Sequence, residues 1–228
     1  RCRAKDKKIF KRWKLSSKSY NVFHGKRCLY GVVVAGVGPG NPKYLTVEVK
    51  EAIEKSKNIV AFGRVSNSLK DIRNDFIKIK RVAEVMKFIN ENKDVLILAS
   101  GDPCFYGIIE YLKKNNIFIE KIMPGISSFQ YMMAKLGLSW QGAKLMSLHG
   151  RNENLESIRE HELSIILTDS ENTPSRISNE IYKLGIRGKI YAGFNLSYED
   201  EIIIKVNIGD KIEDISSLAV VVVENEMD

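Results

Sequence analysis

The sequence predicts an α/β protein of two domains, a first built on a parallel-rich sheet and a second on a mixed sheet. Three observations lead there. Strand-length apolar runs alternate with helical spacings up to about residue 137, the pattern of right-handed strand–helix–strand crossovers. The last strand-like runs follow one another with no helical pattern between them, which implies antiparallel pairing. The residues that shape tight backbone gather at strand ends: Pro39, Pro42, Pro103 and Pro124, four of the five prolines, each follow a first-half strand.

Taken in order, residues 29–35 are a continuous valine-rich run, the mark of a strand covered on both faces. The turn Gly36-Val37-Gly38-Pro39-Gly40-Asn41-Pro42 follows. Thr46 then caps a helix in which Val49 and Ile53 share one face. Asn58–Phe62 reads as a strand, and residues 65–93 read as helical with a break at 78–80. Val95–Ala99 is an apolar strand ending in Ser100-Gly101-Asp102-Pro103. Residues 106–114 read as helix, 118–123 as a strand stopped by Pro124-Gly125, and 127–136 as a helix closed by Gly137. Further on, residues 143–148 form a strand ending at His149-Gly150-Arg151, and 163–168 another. Residues 174–184 form a helix with Pro174 in its first turn. Residues 189–194, 201–206 and 218–224 are strands. The chain divides into a basic segment 1–28, a first domain 29–140 and a second domain 141–228.

Charge separates along the same line. The 228 residues carry a net +8, which invites a nucleic-acid partner. Residues 1–28, however, hold 11 bases and one acid, a net of +10, and the other 200 hold 25 bases and 27 acids, a net of −2. The basicity belongs to the tail, so nucleic acid is not the expected partner of the folded body. We read the tail as an appended or disordered segment, with a transit peptide or a basic arm as alternatives; it lacks the apolar core of a secretory signal. No run approaches the roughly 18 apolar residues of a membrane helix. Cys2 and Cys28 lie in the tail and Cys104 in the body, while His149 and His161 have no spaced partners. Neither a disulfide framework nor a metal site is expected, and a cytoplasmic setting fits.

Ligands of open α/β sheets bind beyond the carboxyl ends of the strands. Loops 36–42, 101–107 and 124–128 should therefore converge, although tight turns alone also use glycine and proline. The glycines at 36, 38 and 40 do not make a dinucleotide fingerprint: the third comes one residue early, Pro39 removes an amide, and the next helix starts too late to face a phosphate. The loop suits close backbone approach to a flat or neutral ligand. Asp102 fits two roles, the cap of a helix starting near Phe105 or an acceptor for a ribose or amine.

Together these stretches resemble the class III, S-adenosylmethionine-dependent tetrapyrrole methyltransferases of corrin biosynthesis. Gly36-Val37-Gly38-Pro39-Gly40 with Leu45-Thr46 is similar to their first loop. Gly101-Asp102-Pro103 through Tyr106-Gly107 is similar to the second, and Pro124-Gly125-Ile126-Ser127-Ser128 to the third. Leu136-Gly137-Leu138-Ser139-Trp140, Ser147-Leu148-His149-Gly150-Arg151 and Asn195-Leu196-Ser197-Tyr198-Glu199-Asp200-Glu201 resemble the precorrin-6Y / cobalt-precorrin-7 carbon-5 subfamily. The resemblance implies a two-domain tetrapyrrole methylase fold with the active site between the domains, and S-adenosylmethionine as methyl donor. It carries cofactor contacts to Val37, Gly38, Gly101, Asp102, Phe105, Ser127 and Ser128, and from the second domain to Leu167 and Asn195. Cys104 within the signature reads as a small apolar filler, since no neighbouring base argues for a thiolate.

For that chemistry His149 is the candidate base by residue type. Arg151 and Arg64 are the candidate holders of a corrinoid polycarboxylate, which a body of net −2 must bind through placed cations. With the chain ending at Asp228, a separate polypeptide is the expected source of a carbon-15 methyltransferase/decarboxylase, and a homodimer is the expected assembly. The alternatives are a tetrapyrrole methyltransferase acting at another ring carbon, or a nucleic-acid-binding protein working through its tail.

Overall fold

The computed structural model describes residues 31–227; the expectations for residues 1–28 lie outside the described residues. The order of elements is β1 (Val32–Gly36), α1 (Val47–Lys55), β2 (Asn58–Phe62), α2 (Gly63–Ser68), β3 (Ile77–Ile79), α3 (Val82–Glu91), β4 (Val95–Ala99), α4 (Ile109–Lys114), β5 (Ile119–Met123) and α5 (Ser128–Leu136). There follow β6 (Lys144–Ser147), a 3-10 turn (Leu155–Glu160), β7 (Leu163–Leu167), α6 (Pro174–Lys183), β8 (Gly188–Phe194), β9 (Ile202–Asn207) and β10 (Ala219–Asn225).

The first five strands make one parallel sheet in the order β3-β2-β4-β1-β5. Every residue of β4 is buried, and a run apolar on both faces belongs in the middle of a parallel sheet. Strand alternation then divides the core. Val32, Val34, Val60 and Ile97 pack with Val85 and Ile89 of α3 and Leu112 of α4. Ala35, Ile59, Leu96 and Leu98 pack on the other face with Val49 and Ile53 of α1.

The second sheet runs β6-β7-β10-β8-β9 and is mixed: β6 and β7 are parallel and the remaining pairs antiparallel. One face is covered by Ile177 and Ile181 of α6 and by Leu155 and Ile158 of the 3-10 turn. The other face, with Ile165, Tyr191, Val220 and Val222, receives Phe129, Met132 and Met133 of α5. Gly193 in β8 makes this possible, because a Cβ there would overlap the Met132 sulfur. Thus α5 follows the last strand of the first sheet yet packs on the second, and it ties the two sheets together.

Two local expectations are corrected and one element is added. Residues 65–93 are not one broken helix: β3 interrupts them, a three-residue edge strand with only Ile79 buried. The helix expected from residue 106 starts at Ile109, since Tyr106 has φ 50, a left-handed conformation no helix accepts. The 3-10 turn at Leu155–Glu160 was not anticipated, and it forms part of the crossover that makes β6 and β7 parallel.

Candidate active site

The order β4-β1-β5 sets the loops after these strands side by side. The first loop is stitched to the second by Val37 N–H donating to Ala99 O at 2.9 Å. Gly38 and Gly101 exchange two backbone bonds, Gly38 N to Gly101 O at 3.3 Å and Gly101 N to Gly38 O at 2.8 Å. Both glycines have positive φ, which lets the loops turn this tightly. Val37 points its side chain into the core. Asp102 joins the second loop to the third: Oδ1 accepts from Cys104 N at 2.8 Å and Oδ2 from Gly125 N at 3.2 Å. The nearest helix begins seven residues later, with no side-chain cap, so Asp102 caps no helix.

The glycines refine what this loop is built to approach. A Cβ on Gly36 would lie 2.6 Å from both Gly101 O and Gly125 N. At position 36 the close backbone approach is therefore loop to loop. Gly101 differs: a Cβ there would meet only Ser127 Cα, at 3.7 Å. Position 101 therefore has room beside it on the side of the third loop. Ser127 is buried, and its Oγ accepts from Phe129 N at 3.3 Å while its N–H donates to Gln130 Oε1 at 2.8 Å, a capping box that starts α5. Ser128 is half-buried in the first turn of that helix. Phe105 stands half-buried, its ring 4.7 Å from Phe129 and 4.9 Å from Tyr106.

The second sheet ends β6, β7 and β8 on one edge, where β10 begins. His149 follows β6, exposed, with Nδ1 2.9 Å from Thr168 O. A carbonyl only accepts, so Nδ1 carries a proton, and in the neutral tautomer this bond selects Nε2 is the nitrogen with the lone pair. Thr168 is fixed in turn by its hydroxyl donating to Ala219 O at 2.8 Å. The carboxylate of Asp169 accepts from the backbone N–H of Gly150 at 2.9 Å, of Glu171 at 2.9 Å and of Asn172 at 2.7 Å. These bonds, Gly150's foremost, push its carboxyl down to about 2.

Two contacts bring the loops of the two domains together. Tyr106 OH donates to Leu145 O of β6 at 3.2 Å, and the Arg151 guanidinium lies 5.2 Å from the centre of the Tyr106 ring. Arg151 thereby sits against the second loop, beside His149. On the other flank, Asn41 N–H donates to Ser197 Oγ at 2.9 Å, and the Tyr198 ring lies on Gly40. Arg64 is exposed on α2 near the Tyr198 phenol. Leu167 ends β7 half-buried against the α5 cluster, its carbonyl accepting from Leu148 N at 2.8 Å. Asn195 has φ 47, and its Nδ2 donates to Asp200 Oδ2 at 2.7 Å.

The first-domain cofactor candidates thus lie in one loop cluster and Arg151 abuts it, His149 lies two residues before Arg151 and faces Thr168, and Arg64 belongs to the opposite flank with Tyr198. Thr168, Asp169, Tyr106, Ser197 and Tyr198 hold the site together and were not assigned from sequence. Tyr106, Ser197 and Tyr198 stand inside quoted motifs; Thr168 and Asp169 carry no local signal. A cavity of about 480 Å³ lined by Leu138, Gln141, Glu162 and Glu224 opens at the other end of the second sheet. It is remote from these loops, and its carboxylates bear the wrong sign for an anionic ligand.

Residues 31–212 match the family of tetrapyrrole (corrin/porphyrin) methylases. The chain is 34% identical over 184 residues to a probable cobalt-precorrin-7 C(5)-methyltransferase of Methanocaldococcus jannaschii, covering 75% of this chain and 86% of that protein. Among solved structures it is similar to the precorrin-6Y methylase of Archaeoglobus fulgidus, with TM-score 0.67, 21% identity, and 86% of this chain and 99% of the other covered. It is also similar to the uroporphyrin-III C-methyltransferase of Thermus thermophilus complexed with S-adenosylhomocysteine, with TM-score 0.69, 18% identity, and 85% and 97% covered. With the matched span running from the start of the first sheet through the loops of both domains, the chain belongs to the tetrapyrrole (corrin/porphyrin) methylases.

Proposed function

We propose that this protein is an S-adenosylmethionine-dependent C-methyltransferase of cobalamin biosynthesis that methylates carbon 5 of a cobalt-precorrin-7 or precorrin-6Y-type macrocycle. The observation that carries the reading is the convergence of the three strand-end loops at Gly38, Gly101 and Gly125, with Asp102 joining the second to the third and Arg151 brought against the second by Tyr106. Its chemistry fits the donor. Asp102 uses each oxygen once, leaving lone pairs for ribose hydroxyls or an amine, and Phe105 with Leu167 offers apolar surface to a flat ring.

When bound, S-adenosylmethionine supplies a methyl group on a positively charged sulfonium, and transfer to an electron-rich ring carbon is an in-line displacement governed mainly by alignment. The stitched backbone of the first and second loops fixes one side of that alignment. Arg151 and Arg64 pair with acceptor carboxylates and fix the other. His149, through Nε2 of its neutral tautomer, receives the proton that the methylated carbon gives up. Val37, Gly38, Ser127, Ser128 and Asn195 contribute backbone and packing to the donor's surroundings. In this reading residues 29–140 and 141–228 are the two domains, and a second copy completes a cytoplasmic homodimer. Among the described residues no helix is long and apolar enough to cross a membrane.

Calorimetry with S-adenosylmethionine and with NAD tests the donor site. Saturable binding of the first and none of the second is expected; tight NAD binding without S-adenosylmethionine binding would overturn the assignment.

A further inference from the structure

The segment 195–201 holds two left-handed non-glycine residues, more than any other stretch of its length among the described residues. Asn195 at φ 47 and Ser197 at φ 72 are both left-handed non-glycine residues, two positions apart. The left-handed region is disfavoured for a side chain such as that of Ser197, which persists there only where its surroundings over-determine it.

The surroundings here reach across the molecule. Ser197 Oγ accepts the Asn41 N–H, 156 residues away in sequence. Ser197 N–H donates to Glu201 Oε2 at 2.6 Å, and Glu201 Oε1 pairs with Lys135 of α5 at 3.0 Å. The buried Tyr131 also bonds Glu201, and burial with that carboxylate pushes its phenol up to about 12. Tyr198 follows. Its ring covers Gly40 so closely that no Cβ fits there, and its phenol meets Ser68 on α2. A second-domain segment therefore grips the first-domain loop 36–42 from above while α5 anchors it from below.

We propose that segment 195–201 is a clasp that holds loop 36–42 in its ligand-ready shape, with Tyr198 as a positioning residue for donor binding. It rests on the reading of loop 36–42 as part of the donor site. The clasp uses the Tyr198 ring as a lid on Gly40 and the Ser197 hydroxyl as a hook on Asn41. Tyr198 acts through loop 36–42. Releasing it lets loop 36–42 sample other shapes, and apparent affinity falls by the fraction of molecules that remain competent.

The test is calorimetric titration of the full chain with S-adenosylhomocysteine, with the melting temperature recorded in parallel. Tyr198→Ala should weaken binding about tenfold, whereas Tyr198→Phe, which keeps the ring, should stay within about twofold of the wild type. Ser197→Gly removes the hook but accommodates φ 72 without strain. It should weaken binding by about threefold or more without lowering the melting temperature. That split between affinity and stability is one a merely structural residue does not produce. Tyr198→Ala binding within twofold of the wild type overturns the clasp. If Tyr198→Ala fails to fold, unchanged affinity in Ser197→Gly overturns it instead. A wild type that binds no S-adenosylhomocysteine overturns the donor-site reading itself, a separate result.

Discussion

Asp169 accepts three backbone N–H groups, those of Gly150, Glu171 and Asn172, and so anchors the loop that presents His149 and Arg151. Its folded-state value of about 2 lies below the ordinary 3.8. A depressed carboxylate contributes stability that is fully present above the unfolded value and is lost as pH falls through the folded one. Discounted for partial exposure, the contribution is about 1–2 kcal/mol. Urea unfolding should show wild type more stable than Asp169→Asn by about that amount at pH 7, with the gap closing between about pH 4 and pH 2; a gap independent of pH would contradict the assignment. Arg151 tests the acceptor side. Its guanidinium rests on Tyr106 and, among the described residues, pairs with no carboxylate, so it is available to a substrate carboxylate. Arg151→Leu should lower kcat/KM by about 1.5–3 kcal/mol of transition-state stabilisation while donor affinity holds. Lost donor affinity would move Arg151 to the cofactor's surroundings.

The three loops behave as one element because their glycines let backbone meet backbone. Gly36→Ala places a methyl group 2.6 Å from two main-chain atoms that cannot swing aside, Gly101 O and Gly125 N. It should cost about 3 kcal/mol in denaturant unfolding, the upper range for an overpacked site; a cost under about 1 kcal/mol would mean the loops are not in register as described. Strands and helices with a buried face are readable from sequence because burial imposes a period: Val49 and Ile53 in α1, or the unbroken run of β4. The edge strand β3 buries one residue of three and offers no period to read. The start of α4 is hidden for another reason, since nothing local forces Tyr106 into φ 50; its hydroxyl's bond to Leu145 O, 39 residues on, accompanies that conformation. Site residues divide likewise. Gly38, Gly101 and Asp102 sit in short motifs, and so does Tyr198, but its pairing with Gly40, like that of Thr168 with His149, is made by tertiary contact and leaves no spacing along the chain.

Across the whole molecule, the proposed division at residue 140 falls between the end of the first sheet at Met123 and the start of the second at Lys144. The mechanical division is less sharp. Helix α5 belongs to the first half in sequence and to the second sheet in packing, and Lys135 on it reaches Glu201. Segment 195–201 returns the grip to the first domain through Asn41 and Gly40. The loops that would hold donor and acceptor are thus locked to each other by both halves, as expected of an enzyme whose chemistry is alignment. The most direct measurement is incubation with cobalt-precorrin-7 and S-adenosylmethionine carrying a carbon-13 methyl group, with the product read by mass spectrometry and carbon NMR. One labelled methyl group bonded to carbon 5 is the predicted result; a label at another ring carbon, or no transfer by a protein that binds the donor, would contradict the account.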